Sequence, residues 1–566
     1  MIILTVDLER TAVHEEPIPE RDVLLFFGGR GLTTKLLYDK GAQEDPLSTP
    51  VFFGTGPLTG TPFPMGGRYE ATARSPLTGT IVTSSCGGRL GISLKKAGVD
   101  VLAVRGVADG PVYLSIEKGR ATIHGAADLW GREKAYVRSI LRQRHGRDAS
   151  VLVIGKAGEN GVLFANAEND GRFLGRGGLG AVLGMKRVKA IVARGKGKID
   201  IASKENFDFL AYESSKWLAA NPVTSQGLPQ FGTGILLNFM RELGLLSAKN
   251  FREPAPAGSR ALSGEEVTAR LLKRRRACPY CPVACGRVTA YGDGPEYETL
   301  WALGVNLGIH DLDGVAELAA LCNELGLDTI SMGGSLGLAC ELAETGRFPE
   351  DARWGDLEAM KRLIIECAEQ RGTGGTLAIG SKRLAERAGM PHFAAQVKGL
   401  ELPAYDPRGA YGHALGYATS NRGGCHLQGY LIGAETLGIP KLLDRFATSG
   451  KASLLALNQN LFAFTDSLVM CRFSSFAIPG DYFARIASAV TGRRITWEES
   501  LLIGERIWNL ERLFNLREGV EDDTLPERFK TFPLEEMLRE YYEIRGWDER
   551  GVPTEARLKR LELLKA

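Results

Sequence analysis

The chain has 566 residues, with 70 Lys and Arg against 67 Asp and Glu, which gives a formal net charge of +3 at pH 7. So small an excess gives no support for a nucleic-acid-binding protein or for a membrane-surface protein. Apolar residues make up 44% of the chain and charged residues 24%, the balance of a globular protein with about two or three domains.

Nothing in the sequence predicts membrane insertion or secretion. There is no run of about 18 apolar residues, the length that a membrane-spanning helix needs. Residues 1–7 lack the basic start and the cleavage site of a signal peptide. Three of the nine cysteines lie within eight residues, a spacing typical of metal binding in a reducing compartment. We therefore expect a cytoplasmic protein without a transmembrane segment.

The first part of the chain is rich in predicted strands. Short apolar runs bounded by glycine or charge occupy residues 51–53, 79–83, 101–104, 112–116 and 151–154. Glycine supplies 70 of the 566 residues, or about 12%, against a usual share of about 7%. Its clusters at 28–31, 66–68, 87–88 and 175–178 predict tight turns that bring the backbone close to a ligand.

Helical periodicity begins near residue 203. Apolar residues recur at helical spacing between Val315 and Leu325, with Gly326 as a stop and Asp311 or Asp313 as a cap. Longer helices are predicted over residues 454–470 and 497–516. The prediction is an α+β protein with a β-rich domain (residues 1–200) and two mainly helical domains (201–400 and 401–566).

The strongest chemical signal is a C-x2-C-x3-C motif formed by Cys278, Cys281 and Cys285. Thiolates at this spacing can bind three irons of one [4Fe–4S] cluster, with a fourth ligand from elsewhere. Structural zinc sites usually present a second ligand pair, and none follows here. Spacing leaves the fourth ligand open among the remaining cysteines: Cys86, Cys322, Cys340, Cys367, Cys425 and Cys471.

A basic run, residues 273–276, directly precedes this motif. Two interpretations stay open. The run is either a solvated face of a helix, or a group of cations that raises the cluster potential or guides an acidic electron-transfer partner.

Four long motifs carry a family resemblance. Residues 56–79, 176–191, 294–308 and 401–426, together with the C-terminal segment from residue 503, resemble the aldehyde:ferredoxin oxidoreductase family over nearly the whole chain. The resemblance implies one tungsten on two pterins, a magnesium linking the pterin phosphates, and a nearby [4Fe–4S] cluster whose fourth ligand is Cys471. It also implies that the β-rich domain forms a base under the bis-pterin. Molybdenum instead of tungsten stays open.

The resemblance also assigns the residues that bind the cofactors. Arg68 matches the arginine between cluster and pterin, where its planar donor fork suits a bridging position. Ser85 and Gly87 match a pterin-contacting turn. The phosphate and magnesium region corresponds to Arg172, Phe173, Gly175 and Arg176.

Two acidic motifs of the family bind the two pterins. Here they occupy residues 323–328 and 466–471, and the matching residues are Asn323, Leu327, Asp328, Asp466 and Met470. This chain departs from the family pattern at Asn323, which replaces an aspartate, and at Val469 and Met470. An amide can both donate and accept hydrogen bonds, so Asn323 can still bind.

Glu298 and His426 match the glutamate and the histidine near tungsten in the family. A carboxylate can move the protons that aldehyde oxidation releases, and a histidine can donate to a developing oxyanion. The resemblance thus implies oxidation of a small aldehyde to a carboxylic acid, with electrons passing to ferredoxin or a partner subunit. Two alternatives are the catalytic subunit of an aromatic acyl-thioester reductase complex and a non-catalytic electron-transfer subunit.

Some relatives join two subunits through an iron held by E-x-x-H pairs. The matching segments here are Glu317–Ala320 and Glu358–Lys361, so both histidines are missing. We therefore predict no interfacial iron, and a homodimer or a hetero-oligomer without that iron stays open. Metal analysis by mass spectrometry should find the iron of one [4Fe–4S] cluster per chain and no further iron. A stoichiometric additional iron would contradict the prediction.

Overall fold

A computed structural model describes residues 1–41 and 49–564. The fold is α+β, as predicted, because two six-stranded sheets near the N-terminus are followed by a long, mainly helical region. Among the described residues, no helix combines the length and the apolar character needed to cross a membrane.

The strands of the two large sheets all lie before residue 195. They are β1 Ile2–Asp7, β2 Ala12–Pro17, β3 Val51–Gly54, β4 Tyr69–Arg74, β5 Ile81–Cys86, β6 Val101–Arg105, β7 Val112–Glu117, β8 Arg120–Gly125, β9 Ser150–Ile154, β10 Ala167–Asn169, β11 Arg172–Leu174 and β12 Val188–Arg194. The smaller sheets are built from β13 Ser247–Ala248, β14 Glu253–Pro254, β15 Leu272–Arg276, β16 Gly286–Thr289, β17 Gly292–Asp293, β18 Gln396–Val397 and β19 Leu400–Glu401.

Both large sheets are mixed. The first has the order β2-β1-β6-β3-β4-β5, in which β1 and β6 are parallel and the other neighbours are antiparallel. The second has the order β11-β10-β9-β12-β7-β8, and its parallel pair is β12 and β7. Buried side chains from both sheets, such as Leu102 and Leu152, share one apolar core.

Helices surround these sheets and form the rest of the molecule. Six lie among the strands: α1 Glu20–Phe26, α2 Gly29–Lys40, α3 Leu90–Lys96, α4 Lys134–His145, α5 Lys156–Glu159 and α6 Leu179–Met185. The helices after the second sheet are α7 Lys204–Ala220, α8 Leu228–Phe231, α9 Leu236–Glu242, α10 Gly264–Glu266, α11 Tyr297–Leu303, α12 Leu312–Leu325, α13 Thr329–Glu344, α14 Leu357–Glu369, α15 Ser381–Arg387, α16 Tyr411–Thr419, α17 Ile432–Thr436, α18 Lys451–Leu468, α19 Gly480–Thr491, α20 Trp497–Arg517, α21 Leu534–Arg545 and α22 Glu555–Arg560.

The structure confirms most of the predicted elements. The five predicted strands correspond to β3, β5, β6, β7 and β9. Helix α12 begins after Asp311, whose side chain accepts a hydrogen bond from the Gly314 amide, and ends at Gly326 in a left-handed conformation. The division into three domains stays a prediction, although the sheets end at Arg194 and α7 begins at Lys204.

The structure excludes one of the two open interpretations of the basic run and corrects the end of one helix. The basic run forms the edge strand β15 and not a helix face, while its action as a group of cations stays a prediction. Helix α18 ends at Leu468 and not at Met470, because Val469 has a φ of 67° and so interrupts the helical backbone.

A buried ion network ties the end of α18 to α2 and α20. The guanidinium of Arg30 is fully buried and donates to both oxygens of Glu511, at 2.8 and 2.7 Å. It also lies 3.1 Å from Asp466 in the last turn of α18. Since the three helices meet on one face of the first sheet, this network fixes the position of the residues that follow α18.

Replacing Arg30 should destabilise this junction. In Arg30→Met the buried Glu511 carboxylate loses its cation, which typically costs about 3–5 kcal/mol. We expect the urea midpoint of unfolding, followed by circular dichroism, to fall clearly. The matched control is Lys559→Met, which breaks an exposed ion pair with Glu555 and should leave the midpoint unchanged. Equal midpoints for both variants would contradict the prediction.

Candidate active site

A cavity of about 420 Å³ lies where the N-terminal sheets meet the helical region. It is lined by the loop between β15 and β16, by the start of α11, by the connection between α12 and α13, and by residues near 405–430. Most of the predicted site residues line this one cavity: Arg68, Gly87, Arg172, Phe173, Gly175, Cys278, Cys281, Cys285, Glu298, Asn323, Leu327, Asp328, His426 and Cys471.

The backbone of Met65 brings the four predicted cluster cysteines to the same wall. Its amide donates to the Tyr280 carbonyl at 3.0 Å, inside the loop that carries Cys278, Cys281 and Cys285. Its carbonyl accepts from the amide of Cys471 at 3.1 Å. One residue therefore joins the cysteine loop to the segment after α18.

The donor set fits an iron–sulfur cluster. All four cysteines are free thiols on one cavity wall. Burial, with Cys471 and Cys278 close by, raises the pKa of Cys281 to about 11, so metal binding must displace the thiol proton. Among the described residues, no three His, Cys, Asp or Glu side chains converge as a single ion would require, whereas a cubane attaches each cysteine to a different iron.

Arg68 lies beside this wall and is held by Ser85. Its Nε donates to Ser85 Oγ at 2.7 Å and its Nη2 to the Ser85 carbonyl at 2.9 Å. Its Nη1 lies 4.0 Å from Cys471 Sγ. Ser85 therefore positions the arginine, although Ser85 itself does not line the cavity.

The backbone of Gly87 contacts the cysteine loop directly. A Cβ atom at this position would lie 2.5 Å from Cys278 Sγ, a distance that no side chain tolerates. Only glycine therefore permits this approach.

The predicted phosphate region divides into two parts. Arg172, Phe173 and Gly175 line the cavity. A Cβ on Gly175 would meet no atom within 4 Å, and Arg172 Nε is buried without a hydrogen-bond partner among the described residues. An open backbone beside an unpaired guanidinium N–H fits a bound anion.

Arg176 has a different environment. It is buried behind the cavity wall, where Nε donates to Asp328 at 3.0 Å, Nη1 to the Gly424 carbonyl at 2.8 Å and Nη2 to the Glu401 carbonyl at 2.7 Å. The structure places it between three chain segments and not on the cavity lining. The position of Arg176 therefore does not support its predicted direct contact with phosphate or magnesium.

The first acidic motif borders the cavity. The side chain of Asn323 donates to the Asp293 carbonyl at 3.0 Å, and Leu327 is fully buried. Asp328 caps α13 by accepting from the Ile330 amide at 3.1 Å and also accepts from Ser331 Oγ at 2.7 Å. These bonds fix the connection between α12 and α13 against the cavity.

The second acidic motif lies outside the cavity lining. Asp466 is paired with Arg472 at 2.8 Å and with Arg30 at 3.1 Å. Met470 is almost fully buried in the apolar core under the first sheet. Pterin contacts of Asp466 and Met470 stay a prediction, and the positions of these two side chains do not support it.

Glu298 and His426 face each other in the cavity. Glu298 lies in the first turn of α11, and its Oε2 accepts from the Ala404 amide at 2.9 Å. Its Oε1 lies 3.8 Å from His426 Nε2. Among the described residues, Glu298 Oε1 and His426 Nδ1 have no hydrogen-bond partner. Buried polar atoms are normally paired, so these two are available to a ligand.

Burial shifts both groups away from their charged forms. It raises the pKa of Glu298 to about 7, although the Ala404 amide and Arg176 favour the carboxylate. It lowers the pKa of His426 well below its usual value, with the positive charge of Arg176 acting in the same direction. At neutral pH the histidine is therefore neutral, while the glutamate exchanges a proton readily.

The sequence prediction missed an aromatic wall formed by Tyr297, Tyr405 and Tyr430. The ring centroids of Tyr297 and Tyr405 are 5.4 Å apart, and those of Tyr405 and His426 are 5.8 Å apart. Two of these tyrosines lie inside the motifs that carry the resemblance. Their presence in these motifs was the one sequence feature that could have pointed to them. Spacing alone does not show which tyrosines face the cavity.

The fold matches that of a solved redox enzyme complex. The active site complex BamBC of benzoyl coenzyme A reductase, in complex with 1,5-dienoyl-CoA, superposes with a TM-score of 0.88 over 99% of this chain and 96% of that chain. The sequences are 24% identical, so this likeness concerns the fold.

The sequence comparisons show the family. Residues 3–195 match the model for the aldehyde ferredoxin oxidoreductase N-terminal domain, and residues 210–563 match that for domains 2 and 3. The chain belongs to the aldehyde ferredoxin oxidoreductase family, which confirms the resemblance.

Relatives match over almost their full length. The tungsten-containing aldehyde ferredoxin oxidoreductase of Pyrococcus furiosus is 42% identical over 99% of this chain and 98% of that protein. The protein of the same name from Thermococcus kodakarensis is 42% identical over 98% and 97%. The WOR-like subunit of an aliphatic sulfonate oxidoreductase from Pyrococcus furiosus is 30% identical over 99% and 96%.

The choice of Cys471 as fourth cluster ligand can be tested by substitution. We expect Cys471→Ala to lose iron and the broad visible absorption of a [4Fe–4S] cluster, because three thiolates leave one iron without a protein ligand. Cys86→Ala and Cys425→Ala replace two of the five other cysteines that spacing left open and should keep both signals. A fully loaded Cys471→Ala protein would show that the fourth ligand lies elsewhere.

Proposed function

We propose that this chain oxidises small aldehydes to carboxylic acids at a tungsten bis-pterin centre and passes the electrons through one [4Fe–4S] cluster to ferredoxin or a partner subunit. The observation that carries the proposal is the pair Glu298 and His426, each with an unpaired polar atom, in a cavity whose wall also holds four cysteines. Two relatives that are 42% identical to this chain are named tungsten-containing aldehyde ferredoxin oxidoreductases. These names support an aldehyde substrate and a tungsten centre.

The cofactors would occupy the cavity between these groups. Cys278, Cys281, Cys285 and Cys471 would hold the cluster, with Arg68 between it and a pterin. Arg172, Phe173 and Gly175 would border the pterin phosphates and their magnesium. When bound, the metal would act as a Lewis acid toward the carbonyl and accept the electron pair of the oxidation.

Glu298 is the group that we propose moves the proton. An aldehyde and a water give a carboxylic acid, two protons and two electrons. Glu298 Oε1 is free to take a proton from the water, while Oε2 stays fixed by the Ala404 amide. A pKa near neutrality suits this transfer, since the carboxylate is present in quantity and its acid form releases the proton again.

His426 would act by a hydrogen bond and not by charge. As a neutral imidazole it can donate one N–H to the oxygen of the substrate carbonyl as negative charge develops there. The tyrosine wall around it excludes water, which strengthens that hydrogen bond. His413, buried behind Tyr405 with a pKa lowered by burial to about 3, adds no positive charge at neutral pH.

The remaining expectations belong to the same proposal. A cytoplasmic location and a homodimer or hetero-oligomer without interfacial iron are proposed alongside it. Where the family iron site would fall, Lys361 Nζ lies 2.6 Å from Glu317 and 2.9 Å from Glu358. A cation of the chain itself thus neutralises both glutamates. Mass spectrometry of the purified protein distinguishes tungsten from molybdenum.

The pH dependence of turnover tests the role of Glu298. With an aldehyde and a viologen dye, kcat/KM should rise as the pH passes about 7, because below that pKa the protonated Glu298 cannot take a proton from the water. Glu298→Gln should lower kcat by about 100-fold or more and abolish this rise.

Two controls make that result specific. The metal content of Glu298→Gln should equal that of the unmodified protein, so that lost activity is not lost cofactor. Glu358→Gln, at a carboxylate 80% exposed on α14, should keep full activity. A tungsten-loaded protein that turns over no aldehyde would contradict the proposed function itself.

A further inference from the structure

A row of buried polar side chains leads from the cavity towards the start of α15. Asp328 lines the cavity, and its Oδ2 accepts a hydrogen bond from Ser331 Oγ at 2.7 Å. Ser331 also lies close enough to the Glu401 carboxyl to stabilise its charged form. Glu401 Oε1 in turn accepts from the amide of Ser381, the first residue of α15, at 2.8 Å. These residues therefore connect the cavity with the N-terminal end of α15.

Glu401 is enclosed by protein and yet incompletely paired. The residue is only 1% exposed. Its Oε2 has no hydrogen-bond partner among the described residues, and the same holds for the hydroxyls of Ser335 and Ser381. Ser335 lies one turn after Ser331 on α13, so the two hydroxyls share a helix face. Buried polar atoms are normally paired, so these unpaired oxygens are available to accept a proton and pass it on.

Two glycines bring the backbone of neighbouring elements against the Glu401 side chain. A Cβ atom on Gly334 of α13 would lie 2.9 Å from Glu401 Cγ. A Cβ atom on Gly380 would lie 3.2 Å from Glu401 Oε1, and Gly380 also has a φ of 83°, which favours glycine. A larger residue at either position would displace the carboxyl, so both glycines keep it in contact with α13 and α15.

The charges around the row distinguish its two carboxyls. Arg176 Nε forms an ion pair with Asp328 at 3.0 Å, whereas no ion pair to the Glu401 carboxyl is formed within the part of the chain that the structure describes. Burial raises the pKa of Glu401, although Ser331, the Ser381 amide and the charge of Arg176 favour the carboxylate. Asp328 is therefore the ion-paired carboxylate, and Glu401 is the group that can hold a proton.

We propose that Asp328, Ser331 and Glu401 form a relay that carries protons from the cavity to the exterior beside Ser381. The inference rests on the proposed function, in which an aldehyde and one water give a carboxylic acid, two protons and two electrons. The electrons are proposed to leave through the cysteine wall. The protons need a route of their own, because the tyrosine wall excludes water from the cavity.

Each transfer along the relay balances. Glu298, which takes a proton from the water, lines the same cavity as Asp328, whose charge raises the pKa of Glu298. A proton that passes from Glu298 to Asp328 can move on to Ser331 Oγ, while the hydroxyl proton of Ser331 moves to Glu401 Oε2. The serine thus keeps one proton throughout.

The last transfer leads to the surface. Ser381 bonds to Glu401 through its amide, and the next residue, Lys382, is exposed. Loss of the proton from Glu401 past Ser381 restores the carboxylate. The relay can then carry the second proton of the same aldehyde.

Glu401→Gln separates proton passage from structure. The amide keeps the size of the side chain and an oxygen for the Ser381 amide, but it cannot take up a proton and release it. With an aldehyde and a viologen dye, we expect kcat to fall at least about tenfold, less than the roughly 100-fold contribution of a direct general acid or base. The KM for the aldehyde should stay unchanged. The fall in kcat should be larger in D2O, since proton transfer would then limit turnover.

A single turnover identifies the affected step. The dye reports the electrons, and a pH indicator in weakly buffered solution reports the protons. Both signals should appear together in the unmodified protein. In Glu401→Gln and in Ser331→Ala, dye reduction should keep its rate while the proton signal lags behind it. A defect in folding or in substrate binding would instead slow both signals equally.

Two further variants serve as controls. Ser214→Ala removes a buried hydroxyl on α7 that likewise lacks a partner among the described residues, and it should leave both signals as they are. Glu401→Asp keeps a carboxyl at the same position and should recover part of the rate that Glu401→Gln loses.

Several outcomes would overturn the relay. One is an unchanged kcat in Glu401→Gln, with electrons and protons appearing together. Others are an equal slowing of both signals, the same lag in Ser214→Ala, or a lag in Glu401→Asp as long as that in Glu401→Gln. Absent viologen turnover in the unmodified protein would instead reject the proposed function.

Discussion

The arrangement of the site depends on one buried guanidinium. Arg176 comes from the turn after β11, and each of its hydrogen bonds reaches a different part of the helical region: the start of α13, strand β19 and the segment that leads to His426. A fully desolvated arginine requires all of these acceptors, because an unpaired buried donor is costly. The N-terminal sheets and the helical region are therefore joined close to the point where Glu298 and His426 face each other. The same cation disfavours a proton on His426 and stabilises the Glu298 carboxylate.

Burial has opposite consequences for the charges of Glu298 and His426, the two side chains proposed to be catalytic. Removing Glu298 from water favours its neutral acid, and removing His426 favours its neutral base. At neutral pH the pair therefore carries no positive charge and only a partial negative charge, even though it contains two titratable groups. In the proposed reaction, this cavity would accept an uncharged aldehyde, and the neutral His426 would donate to the negative charge that develops on the carbonyl oxygen.

Local patterns predicted the parts of the fold that depend on local interactions. The strand runs, the Asp311 cap and the Gly326 stop each follow from residue types at fixed spacing, and all three appear in the structure. For the basic run the sequence left a helix face open, because its charged side chains show no apolar periodicity, and pairing with β16 decides that it is a strand. The end of α18 was wrong because Val469 adopts a left-handed conformation that its branched side chain normally disfavours.

Long-range geometry limited the prediction of the site. Fourteen of the residues that the motifs indicated line one cavity, but the motifs could not show that Arg176 and Asp466 make internal bonds instead of facing it. Their partners, such as Glu401 and Arg472, lie in other segments of the chain. The tyrosine wall was missed for the same reason. Which side chains share a cavity depends on packing between elements, and spacing along the sequence does not contain that information.

The Met65 link has a consequence for how the protein matures. The first three cysteines of the cluster wall leave the ribosome together, but the fourth lies far later, beyond α18. Until that segment has been synthesised and has hydrogen-bonded to Met65, the wall lacks one thiol. For the proposed cluster, the order of the chain would thus make insertion a late event, after the C-terminal part has packed against the N-terminal sheets.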